Sequence, residues 1–173
     1  MPFQQRICVL LILTCLVSWL PFASAHGDEA SSGLANYQIL GISLLLALLA
    51  YPILSKKLSS NNPVFTPTIF SLAVFTGMVH VLLGINDRIL LIGGIGVLGT
   101  LFFSITFPMD ERKSRLARIG LSGVIIVMFI GYFVSNHDLH YVLEDYLGIA
   151  TKLSEIALLV GIYRTQPVNR EEE

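Results

Sequence analysis

Charge is scarce in this chain. Only 13% of its 173 residues are Asp, Glu, Lys or Arg, against 54% hydrophobic. A soluble domain carries roughly twice that charged share, so an ordinary soluble globule is excluded, as is a disordered chain. The basic residues are no more than a match for the acidic ones, 11 against 12. No basic face is available for nucleic acid, and none is expected as a partner. Cysteine is scarcer still: Cys8 and Cys15 are the two present, and both lie in the first 20 residues, as does the single tryptophan, Trp19. A disulfide-stapled small domain is therefore excluded.

What is present is apolar sequence in long runs. The opening segment has one base, Arg6, then an apolar run, then Pro21 and the small-residue end Ala23-Ser24-Ala25. This is the pattern of a secretory signal peptide, and it predicts cleavage after Ala25, with an uncleaved first helix as the alternative. After cleavage the mature chain holds no cysteine, which removes thiolate metal sites and cysteine nucleophiles together.

Five further stretches approach the roughly 20 apolar residues that a spanning helix needs: Tyr37–Leu54, Phe65–Ile85, Ile89–Phe107, Ile119–Ser135 and Leu147–Tyr163. The expected fold is an all-α integral membrane protein, multi-pass in the cell membrane, with the lipid bilayer as its first partner. Its parts are a signal peptide (1–25), an outer segment (26–36), a helical bundle (37–164) and a cytoplasmic polar tail (165–173).

Lys and Arg set the orientation. With residue 26 outside, Lys56, Lys57, Arg112, Lys113, Arg115, Arg118, Arg164 and Arg170 all fall inside, eight of the eleven bases. Signal peptide and charge rule agree independently, and an uncleaved sixth helix leaves the loops where they are.

Helices in lipid associate through small residues. Ala73, Gly77, His80 and Gly84 follow steps of four, three and four, and Gly93, Gly96 and Thr100 are similarly spaced. A short turn joins the two stretches, so these stripes are expected to face each other in a close hairpin.

The candidate chemistry lies on the outer side, where this topology puts all four histidines. His26 is the predicted mature N-terminus, and its amine and imidazole can chelate a transition metal together. His137, His140 and Glu144 share a face of a short amphipathic helix expected in the last outer loop, with N and O atoms suited to a borderline divalent metal. His80 lies inside a span, where an ionisable group is costly and faces the bundle interior. Lys152 and Glu155, three apart in the last span, are expected to pair or to reach for the interface. No P-loop, nucleophile elbow or HExxH occurs, which leaves catalysis by a familiar soluble-enzyme constellation without residues.

Two stretches resemble known families. Gly77 to Leu91 (GMVHVLLGINDRILL) resembles the G-x-x-H-[IV]-L-x-G-x-D-H-[IL]-L signature of HupE/UreJ-type membrane proteins. On it Gly77, His80 and Gly84 correspond directly, Asp87 corresponds after one inserted residue at Asn86, and Arg88 stands where the family has a second histidine. The resemblance implies a polytopic protein of nickel or cobalt uptake, with His80 and Asp87 in the site. The sequence HGDE at 26–29 resembles the cleaved start of the copper-binding B subunit of particulate methane and ammonia monooxygenases, which implies His26 as a copper ligand and partner subunits in a membrane complex.

The expectation is thus an outer-face copper or nickel site drawn from His26, His80, Asp87, His137, His140 and Glu144, in a protein of metal handling or uptake. The alternatives are a non-catalytic subunit of a membrane oxidoreductase complex and a structural membrane protein without metal.

Overall fold

In the computed structural model the described residues are 34–58, 64–85, 87–135 and 145–165. Among them there are five helices and no strand: α1 (Asn36–Leu58), α2 (Pro67–Leu83), α3 (Arg88–Thr106), α4 (Glu111–Ser135) and α5 (Tyr146–Arg164). The segments holding His26, His137, His140 and Glu144 lie outside the described residues, as do the signal peptide and the outer-loop helix expected there.

Short polar side chains start the helices. Thr66 accepts from the Ile69 amide at 3.3 Å with Pro67 in the first turn, where proline's missing N–H costs nothing. Asp87 accepts from Ile89 and Leu90 at 2.8 and 3.4 Å. Asp145 accepts from Gly148 at 2.9 Å. Each satisfies amides that the first turn leaves without a partner.

Asp110 does the same for α4, accepting from Lys113 at 2.7 Å. That bond holds its carboxyl below the usual value. With this cap, and with good helix formers such as Glu, Arg, Lys and Ala following it, α4 begins at Glu111. The apolar stretch expected as this span starts at Ile119; the helix starts about two turns earlier, so Arg112, Lys113, Arg115 and Arg118 ride on its first two turns and not in a loop.

Four helices, α1, α3, α4 and α5, are long and apolar enough to cross a membrane. The 17 residues of α2 run only about 25 Å at the helical rise. This shorter helix is the most enclosed. It packs against α1, α3 and α5; α4 packs against α3 and α5, so α2 to α5 close into a ring with α1 laid outside on α2. Among the described residues, most of the large apolar side chains left exposed belong to the other four helices, for example Leu48, Ile92, Phe102, Val127 and Leu153. Such apolar exposure suits lipid.

The ring has two unlike halves. Toward the start of α2 it is filled by Phe65, Ile69, Leu101, Leu121, Ile125 and Ile162, all buried and apolar. Toward the end of α2 its buried residues include Thr76, His80, Thr151, Lys152, Ser154 and Glu155.

The α2–α3 hairpin is close, in a different register from the one expected. A Cβ on Gly94 would lie 2.7 Å from the Val81 amide nitrogen and 2.8 Å from the Gly77 carbonyl, and one on Gly77 would meet Leu98 at 2.8 Å. Gly84 is tucked against the Leu91 backbone. Gly93 and Gly96 instead face Met128 and Val124, so their stripe serves the α3–α4 contact. Both stripes exist, but 93 and 94 point about 100° apart on a helix, and it is Gly94 that meets α2.

Candidate functional site

His80 sits one turn before the end of α2, four residues after Thr76. Both face α5, whose residues 147, 151, 154, 158 and 162 recur at steps of three and four and line its buried side. Glu155 and Lys152 flank that line. The helix periods of two distant segments therefore bring residues 76, 80, 152, 154 and 155 into one buried row.

The geometry is specific. His80 Nδ1 lies 2.8 Å from the Thr76 carbonyl oxygen. A carbonyl only accepts, so Nδ1 bears the hydrogen, and in the neutral ring Nε2 keeps a lone pair. Nε2 faces Glu155 Oε1 at 3.5 Å. Glu155 is wholly buried, and Oε1 has no hydrogen-bond partner. Its other oxygen accepts from Lys152 Nζ at 2.8 Å. Lys152 also donates to the Met128 carbonyl of α4 at 3.2 Å, and its ammonium lies 5.7 and 5.1 Å from the ring centres of Phe129 and Tyr132. Both rings are within cation–π range.

Beside the row, Ser154 spends its one hydroxyl hydrogen on the Thr151 carbonyl at 2.8 Å. The 2.9 Å contact between Thr76 and Ser154 is then donated by Thr76. At the α5 start, Tyr132 donates to Asp145 at 3.0 Å, tying α4 to α5. Gly148 is needed there, because a Cβ would strike both the Tyr132 hydroxyl and the Asp145 carboxylate.

Of the sequence candidates, His80 is thus at the centre of a buried polar row. Asp87 is exposed at the start of α3, with its Oδ1 engaged as the helix cap. Among the described residues no three His, Cys, Asp or Glu side chains are grouped to hold a metal. His26, His137, His140 and Glu144 lie outside those residues.

The sequence reading left Glu155 out of the site and missed Thr76, Ser154 and the Met128 carbonyl. A signal for Glu155 was present: an i, i+3 Lys–Glu pair inside an apolar helix can neutralise itself and still remain buried. Nothing in the sequence signalled Met128, which contributes only its backbone.

Comparison of the chain with protein-family models, with curated proteins and with solved structures gives no match.

Proposed function

We propose that the chain is a five-span membrane protein that binds a transition-metal cation, nickel or copper, through His80 and takes part in metal handling or uptake. One observation carries this reading: a lone-pair nitrogen and an unpartnered carboxylate oxygen, His80 Nε2 and Glu155 Oε1, face each other 3.5 Å apart in a buried site. Two acceptors so placed call for a cation between them. The Nδ1–H to Thr76 carbonyl bond supports it further, since metal-binding histidines commonly donate their second ring nitrogen to a carbonyl or carboxylate. N and O ligands suit nickel, copper and zinc. The remaining ligands on this reading come from His26, His137, His140 and Glu144, with Asp87 at the rim. The local likeness of 77–91 to HupE/UreJ-type proteins points the same way.

In this proposal α2 is the fifth span, shielded by its neighbours; the signal segment is cleaved after Ala25, the mature N-terminus is outside and the tail is cytoplasmic. Orientation is tested with single cysteines in a chain freed of Cys8 and Cys15. Arg88→Cys is expected to react with an impermeant maleimide in intact cells, and Arg112→Cys only after permeabilisation. The reverse pattern would overturn the topology.

Metal binding is tested by titrating the purified full chain with nickel, copper and zinc ions. His80→Gln is expected to lower affinity by about tenfold or more, the scale reached even by residues that only support a ligand. Affinity should also fall as pH is lowered, because protons compete for the same lone pairs. Wild-type protein that binds no metal above background, or His80→Gln that binds as wild type does, would leave His80 as a purely structural link between α2 and α5.

A further inference from the structure

Positive charge gathers at one end of the bundle. Leu54 of α1, Phe65 just before α2, Leu101 of α3, Leu121 of α4 and Ile162 of α5 belong to one buried apolar cluster, so the helix ends next to them share that end. Lys56 lies just beyond Leu54, Arg164 just beyond Ile162, and Arg112, Lys113, Arg115 and Arg118 precede Leu121. Asp110 and Glu111 are the acids described there. Asp110 is already engaged, with the Lys113 ammonium at 3.5 Å and the Lys113 amide at 2.7 Å. Among the described residues, Arg112, Arg115 and Arg118 have no carboxylate partner.

Helical spacing sets the direction of these bases. At about 100° per residue, Arg112 and Arg115 stand on the same side of α4 as Ile119, Ile126, Ile130 and Phe133, all four of them exposed. Leu121, Ile125 and Met128, on the opposite side, are buried in the bundle. Arg118 is half-buried at the edge between the two. The face that carries the two exposed guanidiniums is therefore the face that meets lipid.

Depth fits as well. Exposed apolar side chains of α4 run from Leu116 to Val134. They span about 27 Å at the helical rise, close to the roughly 30 Å of a hydrocarbon layer. Arg115 then stands at the edge of that layer, and Arg112 about 5 Å further out, within the headgroup region. Long basic side chains keep their stems on apolar surface and their charge in the polar zone. A guanidinium grips a phosphate through two parallel N–H bonds.

We propose that this face of α4 is a docking strip for an anionic phospholipid. Arg112 and Arg115 hold the phosphate headgroup, Arg118 flanks it, and the acyl chains lie along Ile119, Ile126, Ile130 and Phe133. A zwitterionic lipid offers a phosphate too, but brings an ammonium that these bases repel, so a headgroup of net negative charge is preferred. Lys56 and Arg164 add attraction that fades within a screening length. His80 lies near the end of α2, at the opposite end of the bundle, and the strip does not depend on the metal reading.

The test uses the purified full chain in nanodiscs of phosphatidylcholine, with a trace of spin-labelled phosphatidylglycerol or spin-labelled phosphatidylcholine. Electron spin resonance separates labelled lipid held against the protein from lipid that moves freely. Phosphatidylglycerol is expected to be held about fivefold more tightly at low salt, the worth of one base near an anionic surface. The preference should shrink as salt is raised. Arg112→Gln combined with Arg115→Gln should remove most of it, and Arg88→Gln, at the opposite end of the bundle, should leave it unchanged. Equal holding of the two lipids by wild type would overturn the proposal and leave the basic end to an acidic protein segment. Wild-type preference in the Arg112→Gln, Arg115→Gln protein, or its loss in Arg88→Gln, would overturn it by placing the lipid elsewhere. A measurement on the unmutated chain needs no variant to fold: with ¹⁵N-labelled arginine, guanidinium nitrogens are expected to show dipolar coupling to lipid ³¹P, and absence of that coupling would also sink the strip.

Discussion

Glu155→Gln is expected to lower the stability of the folded protein by about 3–5 kcal/mol, the range found when one member of a buried ion pair is removed. Thermal unfolding in mild detergent would read it as a clearly earlier transition. Gln keeps the size of Glu and an oxygen that can accept from Lys152, so the loss reports charge and not shape. Lys152 would keep its bond to the Met128 carbonyl and its two aromatic faces, but none of these carries a full negative charge. Lys152→Met is expected to be much milder. It leaves a carboxylate that can regain neutrality by taking up one proton, with the His80 lone pair beside it to share that proton. Equal losses in the two variants would mean that Glu155 stays ionised without Lys152.

That asymmetry was beyond reach of the sequence, although its parts were not. Hydropathy marked the five apolar stretches, because length and lack of charge are local properties. The cost of burying an imidazole put His80 on an inward face, and spacing put Lys152 within reach of Glu155. What spacing could not give was the meeting of 80 with 155, which depends on how α2 and α5 lie together. The helical first turns of α4 were missed because polarity was taken as loop, whereas the Asp110 cap and strong helix formers extend a helix beyond its apolar part. Asp87 had a visible local role, since a carboxylate just before an apolar helical run is an N-cap in any helix. Its place in a metal site came from the resemblance alone.

Gly94→Ala is the second large effect expected. The added Cβ would stand 2.7 Å from the Val81 nitrogen and 2.8 Å from the Gly77 oxygen, and neither is a side-chain end that can swing aside. The α2 backbone must retreat, taking with it the Leu98 contact on Gly77. Overpacking of this kind costs about 1–3 kcal/mol, here at the upper end because backbone must move. Alanine's better helix propensity returns up to about 1 kcal/mol, so a net loss of about 2 kcal/mol is expected. Gly99→Ala is the control: nothing lies within 4 Å of its Cβ position, so only the propensity gain applies and stability should hold or rise slightly. Gly96→Ala should behave like the control, because its Cβ would meet only Val124, at an ordinary 3.8 Å. The three variants separate two registers of one hairpin. If 96 faced α2, Gly96→Ala would be the damaging change and Gly94→Ala the tolerated one. Measured together in detergent, the order of their unfolding temperatures decides which glycine lets α2 and α3 approach. It also decides the rotation of α3, and with it which of its faces is left for α4.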